Sequence, residues 1–292
     1  MDMFDCGIYS FVNAITIETI RYWSKNSYQH IDVLLNSATP NKGILFDSFN
    51  NDLKRLYKTF QNIYNELDDV KRDTNVYFMV KRFLIANDHF IILLQRLKFE
   101  GFNGFPILYQ VTYHILYEQM YVKEIFRPLM CTGDVYPDNV IINSNFRRMA
   151  LGTNPLQCIY GQIYFWSIIG AEHPSIIMNI SPNEMEQLPK KIINEFNDIA
   201  NRFNKINYKL SCIYSKLNMM NLGIILKDFC NVNEDFLVLL DRFKDSAENL
   251  PANIKNNLPK LFFAILEHII KEHEYAKLLT EKIMESQYGR NN

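Results

Sequence analysis

A histidine followed four residues later by a glutamate occurs twice in this chain, and each pair interrupts an apolar stretch of helical periodicity. The first pair is His114 with Glu118, and the second is His268 with Glu272. A spacing of four places both side chains on one face of a helix, one turn apart. Burying imidazole and carboxylate on an apolar face is unfavourable unless another group compensates. We interpret the compensating group as a metal ion.

The apolar residues around these pairs predict eight amphipathic helices and no strand. Each apolar stripe recurs at steps of three and four residues, and proline or glycine marks most of the turns between stripes. The predicted helices run from about Thr16 to Asn36, Phe46 to Lys71, Asn75 to Lys98, Pro106 to Arg127, Pro155 to Ile180, Pro189 to Leu210, Leu222 to Ala247 and Pro259 to Gln287. We therefore predict an all-α fold of antiparallel helices joined by turns.

The last four predicted helices repeat the first four. The offset between matching positions is 143 residues at first, then 146 and finally 154, and it changes only between helices, where insertions are tolerated. Matching polar residues on inward faces carry the most weight, and they are His30/His173, Asp52/Glu195, Asn87/Asn233, His114/His268 and Glu118/Glu272. This predicts a tandem duplication of two antiparallel four-helix bundles, residues 1–130 and 155–292, with residues 131–154 as the linker.

Each half offers two histidines and two carboxylates from three different helices. Asp52 and Glu195 complete the sets, because they flank the inward stripe of the second helix in each half. The predicted metal ligands are His30, Asp52, His114 and Glu118 in the first half and His173, Glu195, His268 and Glu272 in the second. Nitrogen and oxygen ligands without sulfur suit Fe(II), Mn(II) or Zn(II), and the residues alone leave the choice open.

Other polar residues near these positions receive structural interpretations. Asn87 and Asn233, with the adjacent Asp88 and Glu234, either orient a ligand imidazole or form ordinary interhelical hydrogen bonds. The tryptophans are interpreted as large core residues that exclude water from the site. The two remaining histidines, His89 and His273, are assigned to the surface or to packing.

Charge and cysteine usage exclude several classes of function. The 292-residue chain has 31 basic and 32 acidic residues, which gives no electrostatic basis for binding nucleic acid or an anionic membrane. Its five cysteines form no zinc-binding spacing, so we expect free thiols in a reducing cytoplasm. The acidic N-terminus is unlike a secretory signal, and the apolar run from Ile8 to Ile17 is too short to span a bilayer.

The tryptophan-to-histidine spacing of seven and the His-x3-Glu pair, each present twice, resemble the Bacillus cereus metalloprotein-like family, a domain of unknown function from spore-forming Firmicutes. The similar segments include Trp23 to His30 and Trp166 to His173, and the resemblance covers about Thr16 to Met284. It implies tandem four-helix bundles with a bound metal, iron before manganese or zinc, and an association with spores. It implies no reaction. Asp52 departs from the family's pattern, in which a glutamate is expected.

Three hypotheses of different classes follow. The first is a metal-binding helical protein whose activity is unknown. The second is a structural or spore-associated interaction protein whose buried His and Glu residues only fix helix packing. The third is a non-haem iron oxidoreductase, although no glutamate precedes any histidine by three residues, as the ferritin-like di-iron pattern requires. No nucleophile constellation or phosphate-binding loop is present, so no catalytic residue is assigned.

Overall fold

The computed structural model describes residues 14–37, 44–67, 76–100, 106–126, 155–180, 190–213, 218–249 and 260–288. All regular structure within these ranges is α-helical, which confirms the predicted all-α class. The helices are α1 (Ala14–Ser37), α2 (Ile44–Glu66), α3 (Val76–Glu100), α4 (Pro106–Phe126), α5 (Pro155–Ile180), α6 (Lys190–Ile213), α7 (Met219–Glu248) and α8 (Lys260–Tyr288). The predicted linker, residues 131–154, lies outside the described residues.

Local sequence signals account for several helix ends. Proline opens α4 and α5, where its missing N–H would have no intrahelical partner in any case. The side chain of Asn218 accepts a hydrogen bond from the backbone N–H of Asn221 at 2.9 Å and so caps the start of α7. The second helix ends at Glu66, about one turn earlier than predicted. None of the described helices has an apolar stretch long enough to cross a bilayer.

Helices adjacent in sequence pack as antiparallel hairpins within two compact units, Met1–Cys158 and Ile159–Asn292. In the first unit α2 packs between α1 and α3, and α4 packs on α3 and α1. In the second unit α7 packs on both α6 and α8. Helix α5 contacts α8 through the rings of Trp166 and Tyr275, whose centroids lie 5.9 Å apart. Each unit thus buries its own apolar core.

The two cores contain the same aromatic contacts. In each unit one phenylalanine of the second helix meets two phenylalanines of the third helix, and all six rings are fully buried. The centroid distances are 5.7 Å for Phe60–Phe83, 6.1 Å for Phe60–Phe90, 5.8 Å for Phe203–Phe229 and 6.1 Å for Phe203–Phe236. These positions match at the offsets found in the sequence, so the repeat extends to the packing of side chains.

An ion pair between the second and third helices is also repeated, but with its charges exchanged. In the first unit Arg82 donates to both carboxylate oxygens of Glu66, one of them at 2.9 Å, and this hydrogen bond holds the pKa of Glu66 below its usual range. At the matching positions of the second unit, Lys209 lies on α6 and Asp228 on α7, 2.6 Å apart. The acidic partner therefore lies on the second helix in one unit and on the third in the other.

Charge reversal at this ion pair is expected to destabilise the chain only when one partner is changed. Glu66→Lys places two cations together and should lower the free energy of unfolding by roughly 0.5–1 kcal/mol, because the pair is partly exposed. The double variant Glu66→Lys with Arg82→Asp reproduces the arrangement of the second unit and should recover most of that loss. Urea unfolding of the three chains measures both effects. A double variant that recovers none of the loss seen in Glu66→Lys would contradict the pairing.

Candidate metal centre

In the first unit, two histidines converge on a single buried glutamate. Glu118 lies in α4 and its carboxylate is fully buried. The Nε2 atom of His30, from α1, lies 2.9 Å from one carboxylate oxygen of Glu118. The Nε2 atom of His114, one turn earlier in α4, lies 3.6 Å from the other oxygen. The structure therefore brings three of the four predicted ligands of this half together.

The second unit repeats this arrangement at the matching positions. Glu272 lies in α8 and its side chain is 1% exposed. The Nε2 atom of His173, from α5, lies 3.1 Å from one carboxylate oxygen, and the Nε2 atom of His268 lies 2.9 Å from the other. In both units the two histidines present the same ring nitrogen to different oxygens of one carboxylate. We call each set of three residues a histidine–glutamate cluster.

Buried aromatic residues hold the helices that carry each cluster. The Trp23 ring on α1 packs edge-on against Tyr121 on α4, with centroids 6.3 Å apart. Trp166 and Tyr275 form the matching contact between α5 and α8. Both tryptophans are 1% exposed. They pack in the core, as predicted, on the same helices as the cluster residues.

The second ring nitrogen of the first histidine is also engaged in each unit. In the first unit, the side-chain nitrogen of Gln119 lies 3.3 Å from Nδ1 of His30. In the second unit, Nε2 of His273 lies 2.9 Å from Nδ1 of His173. Gln119 and His273 each follow the cluster glutamate directly and match each other at the 154-residue offset. Polar partners in this position orient the imidazole of a metal-binding histidine.

His273 is therefore not a surface or simple packing residue, and its assignment from the sequence is corrected here. Its side chain is fully buried and forms polar contacts through both ring nitrogens. The assignment assumed that a neighbour of Glu272 would point away from the inward face. The signal that could have found it is the match with Gln119, since both are polar residues in apolar helices.

The two predicted asparagines support these same residues. Asn87 donates its side-chain N–H to the backbone carbonyl of Gln119 at 2.9 Å. Asn233 donates in the same way to the carbonyl of His273 at 2.9 Å, and its side-chain oxygen also contacts Nδ1 of that histidine. Both asparagines thus act on the cluster histidines through an intermediate residue rather than by direct contact.

Asp52 and Glu195 occupy a different environment from the other predicted ligands. Asp52 pairs with Arg55 at 3.2 Å, and its side chain is 39% exposed. Glu195 pairs with Arg242 at 2.7 Å, and its side chain is 29% exposed. Among the described residues, neither carboxylate belongs to the groups whose ligand atoms lie close enough to share an ion. Their position at the edge of the apolar stripe turns them toward arginines.

The remaining predicted polar positions form surface contacts. Asp88 pairs with Lys123 at 2.7 Å, and the matching Glu234 pairs with Lys277 at 3.0 Å. They therefore link the third and fourth helices of each unit and do not orient an imidazole. His89 is exposed, in agreement with its assignment from the sequence.

The nitrogen-to-oxygen distances within each cluster are compatible with two donors that share a metal ion. Ligand bonds of about 2.1 Å separate adjacent donors by roughly 3.0 Å in an octahedral complex and roughly 3.4 Å in a tetrahedral one. The nitrogen-to-oxygen distances in the two clusters run from 2.9 to 3.6 Å. The shorter distances also fit a hydrogen bond between an imidazolium and a carboxylate. Each cluster can hold either a metal ion or a proton.

Comparison with known proteins adds no further information about the site. No protein-family model, no curated protein and no solved structure matches the chain. The chemistry of the clusters therefore has to be argued from their own residues.

Removing the charge of a cluster glutamate should destabilise the protein far more than removing that of Glu195. Glu272→Gln leaves two buried imidazoles without their shared carboxylate, so a loss of roughly 3 kcal/mol or more in the free energy of unfolding is expected. Glu195→Gln is the matched control, because it breaks a partly exposed ion pair worth less than about 1 kcal/mol. Urea denaturation measures the free energy of unfolding of both variants. Equal losses would contradict the energetic difference expected between Glu272 and Glu195.

Proposed function

We propose that this protein is a metal-binding helical protein, built as a tandem duplication of a four-helix bundle, with iron as the favoured metal. The observation that carries the proposal is the convergence of two buried imidazoles on one buried carboxylate, present at matching positions in both units. Its biochemical activity is left unassigned. The two clusters are the proposed sites of metal binding.

Charge balance favours a metal over a plain ion pair. One imidazolium is enough to neutralise a buried glutamate, so a second buried imidazole adds nothing to that balance and itself has to be desolvated. A divalent cation, in contrast, needs several donors, and neutral imidazoles supply them without further negative charge. In an ion pair the second histidine could only donate a hydrogen bond to the other carboxylate oxygen, whereas in a metal site it is a further ligand. It occurs in both units, as His114 and as His268.

The duplication is supported by the contacts that the two units share. The cluster residues, the phenylalanine contacts and the tryptophan–tyrosine contacts all recur at the offsets of the sequence repeat. The exchanged ion pair supports it too, since two contacting positions carry opposite signs in the two units and stay complementary in each. Unrelated helix pairs share apolar positions by chance, but they do not share a connected set of buried polar contacts.

The donor set favours iron, with manganese and zinc as alternatives. Two histidines and one carboxylate are the ligands of the non-haem iron centres that leave coordination positions open. The two described cysteines do not alter this choice. Cys212 is exposed, and burial raises the pKa of the Cys230 thiol, which disfavours the thiolate that a metal would need. The resemblance to the Bacillus cereus metalloprotein-like family points to iron as well, and to an association with spores, while the cysteine usage favours the cytoplasm.

A non-haem iron oxidoreductase is the second candidate, favoured by one observation. Two imidazoles and one carboxylate are the donors of non-haem iron centres whose remaining coordination positions hold water or a small exogenous ligand. Such positions are where oxygen chemistry takes place in facial-triad enzymes. The non-catalytic structural hypothesis differs from both candidates in requiring no metal.

Elemental analysis tests metal binding directly. Protein purified without added metal should contain about one equivalent of metal for each cluster, because each offers a complete three-donor set. His268→Ala removes one donor and should lower the metal content of the chain. The matched control is His89→Ala, which removes an exposed histidine and should change nothing. Metal well below one equivalent per chain, unchanged by His268→Ala, would contradict the proposal.

Chelation tests whether the metal is part of the folded structure. A ligand present at 100 times its dissociation constant stabilises the native state by about 2.7 kcal/mol, so a strong chelator should lower the melting temperature and re-added Fe(II) should restore it. The chain carrying Glu118→Gln and Glu272→Gln should show no such response, because both clusters have lost their carboxylate. A melting temperature unmoved by chelation and by added metal would favour the structural hypothesis instead.

A further inference from the structure

We propose that His273 is a positioning residue that fixes the tautomer of His173, so that His173 offers Nε2 as a lone pair beside Glu272. The inference rests on the proposed function, since a metal ion is what such a lone pair would bind. Neither the spacing of the predicted ligands nor the helical periodicity predicts this role for His273 and Asn233. It follows from the two contacts of the Asn233 amide, whose donor and acceptor have only one possible assignment.

The amide of Asn233 is oriented by the backbone. Its side-chain nitrogen lies 2.9 Å from the carbonyl oxygen of His273, and a carbonyl oxygen can only accept a hydrogen bond. The nitrogen is therefore the donor in this contact. The other end of the amide, its oxygen, then faces Nδ1 of the His273 ring. An interchange of nitrogen and oxygen would set two acceptors against each other, so the orientation is fixed.

The orientation of Asn233 determines the hydrogens on both rings. Because an amide oxygen only accepts, Nδ1 of His273 must carry the hydrogen. In the neutral ring this leaves Nε2 of His273 as an acceptor, 2.9 Å from Nδ1 of His173. That contact then requires a hydrogen on Nδ1 of His173. Hydrogen bonds thus run from His173 to His273 and on to the oxygen of Asn233. We call this chain of hydrogen bonds the relay.

The consequence appears at the other nitrogen of His173. A neutral imidazole with its hydrogen on Nδ1 has a lone pair on Nε2, and this atom lies 3.1 Å from a carboxylate oxygen of Glu272. A lone pair facing a carboxylate oxygen is repulsive unless a cation lies between them, either a proton on Nε2 or a metal ion. A divalent metal satisfies both atoms at once. The relay therefore presets His173 as a ligand before any metal arrives.

Packing prevents His273 from turning away from this arrangement. Its ring is fully buried and lies edge-on against Phe236, with centroids 4.6 Å apart. Phe203 packs on the same ring at 5.9 Å. Phe203 itself occupies space that only glycine leaves open, because a Cβ on Gly170 would lie 2.7 Å from its ring. The relay is built into the core of the second unit.

In the first unit, the matching contact leaves the direction of the hydrogen bond to the first histidine open. Gln119 takes the place of His273, and its amide is contacted by the hydroxyl of Ser27 at 3.0 Å and by Nδ1 of His30 at 3.3 Å. A hydroxyl donates or accepts equally well, so this amide can present either its nitrogen or its oxygen to His30. The tautomer of His30 is therefore adjustable. Only the second unit fixes the form that a metal needs.

Nitrogen NMR of the metal-free chain tests the relay without any metal. With histidine labelled at both ring nitrogens, the signals of His173 are identified by their absence in a His173→Asn variant. The expected result is a hydrogen on Nδ1 of His173 in the unaltered protein. A hydrogen on Nε2 with none on Nδ1 would overturn the relay, whatever the result of metal binding.

Titration with Co(II), monitored by its visible absorption, tests the effect of the relay on affinity. The binding step of the second unit is the one weakened by His268→Ala. His273→Leu removes the acceptor and should weaken this step by about 10–100-fold, whereas His273→Gln restores an acceptor of the kind found in the first unit and should lie within a few-fold of the unaltered chain. The melting temperature of each metal-free variant serves to exclude a loss of folding.

The outcomes separate the two proposals. If His273→Leu binds Co(II) as tightly as the unaltered chain, or if His273→Gln and His273→Leu lose affinity equally while remaining folded, His273 does not act through its nitrogen and the inference is overturned. If the unaltered chain binds no Co(II) at all, the proposed function fails, and the NMR result still decides whether the relay exists.

Discussion

A single buried carboxylate facing two imidazoles is the interaction on which each unit depends. A lone glutamate in this position would be strongly destabilised, because a charge transferred from water to a low-dielectric core loses its hydration. The core therefore has to supply positive charge or donors at both carboxylate oxygens. In each unit the histidines that do so come from the first and fourth helices, so the same contact that balances the charge also fixes how these helices pack.

The residue that contacts Nδ1 of the first cluster histidine differs between the two units. In the first unit the hydroxyl of Ser27 donates a hydrogen bond to the side-chain oxygen of Gln119. In the second unit the larger ring of His273 stands at that position, and glycine replaces the serine at residue 170. The space released by Gly170 is taken by Phe203, which packs on His273. The two clusters have the same donor residues. They differ in how tightly the side chain behind the first histidine is held.

The sequence predicted the helices and the histidine–glutamate pairs because both depend on local spacing. Positions four apart on a helix stay together in any packing, so His114 and Glu118 could be placed without knowing the neighbours. Asp52 lies at the edge of its apolar stripe, where spacing does not decide between core and surface, and Arg55 holds it at the surface. His273 was missed for a related reason, since its inward direction depends on the space left by helices distant in sequence.

The exchanged ion pair has a consequence for how a repeated chain folds correctly. Two similar units in one chain carry the hazard that a helix of one pairs with a partner helix of the other. If α2 packed on α7, Glu66 would face Asp228, and if α6 packed on α3, Lys209 would face Arg82. Both mispaired hairpins would bring like charges together, whereas each correct hairpin joins opposite ones. The exchange of sign thus makes the correct pairing of helices electrostatically more favourable than the mispaired one during folding.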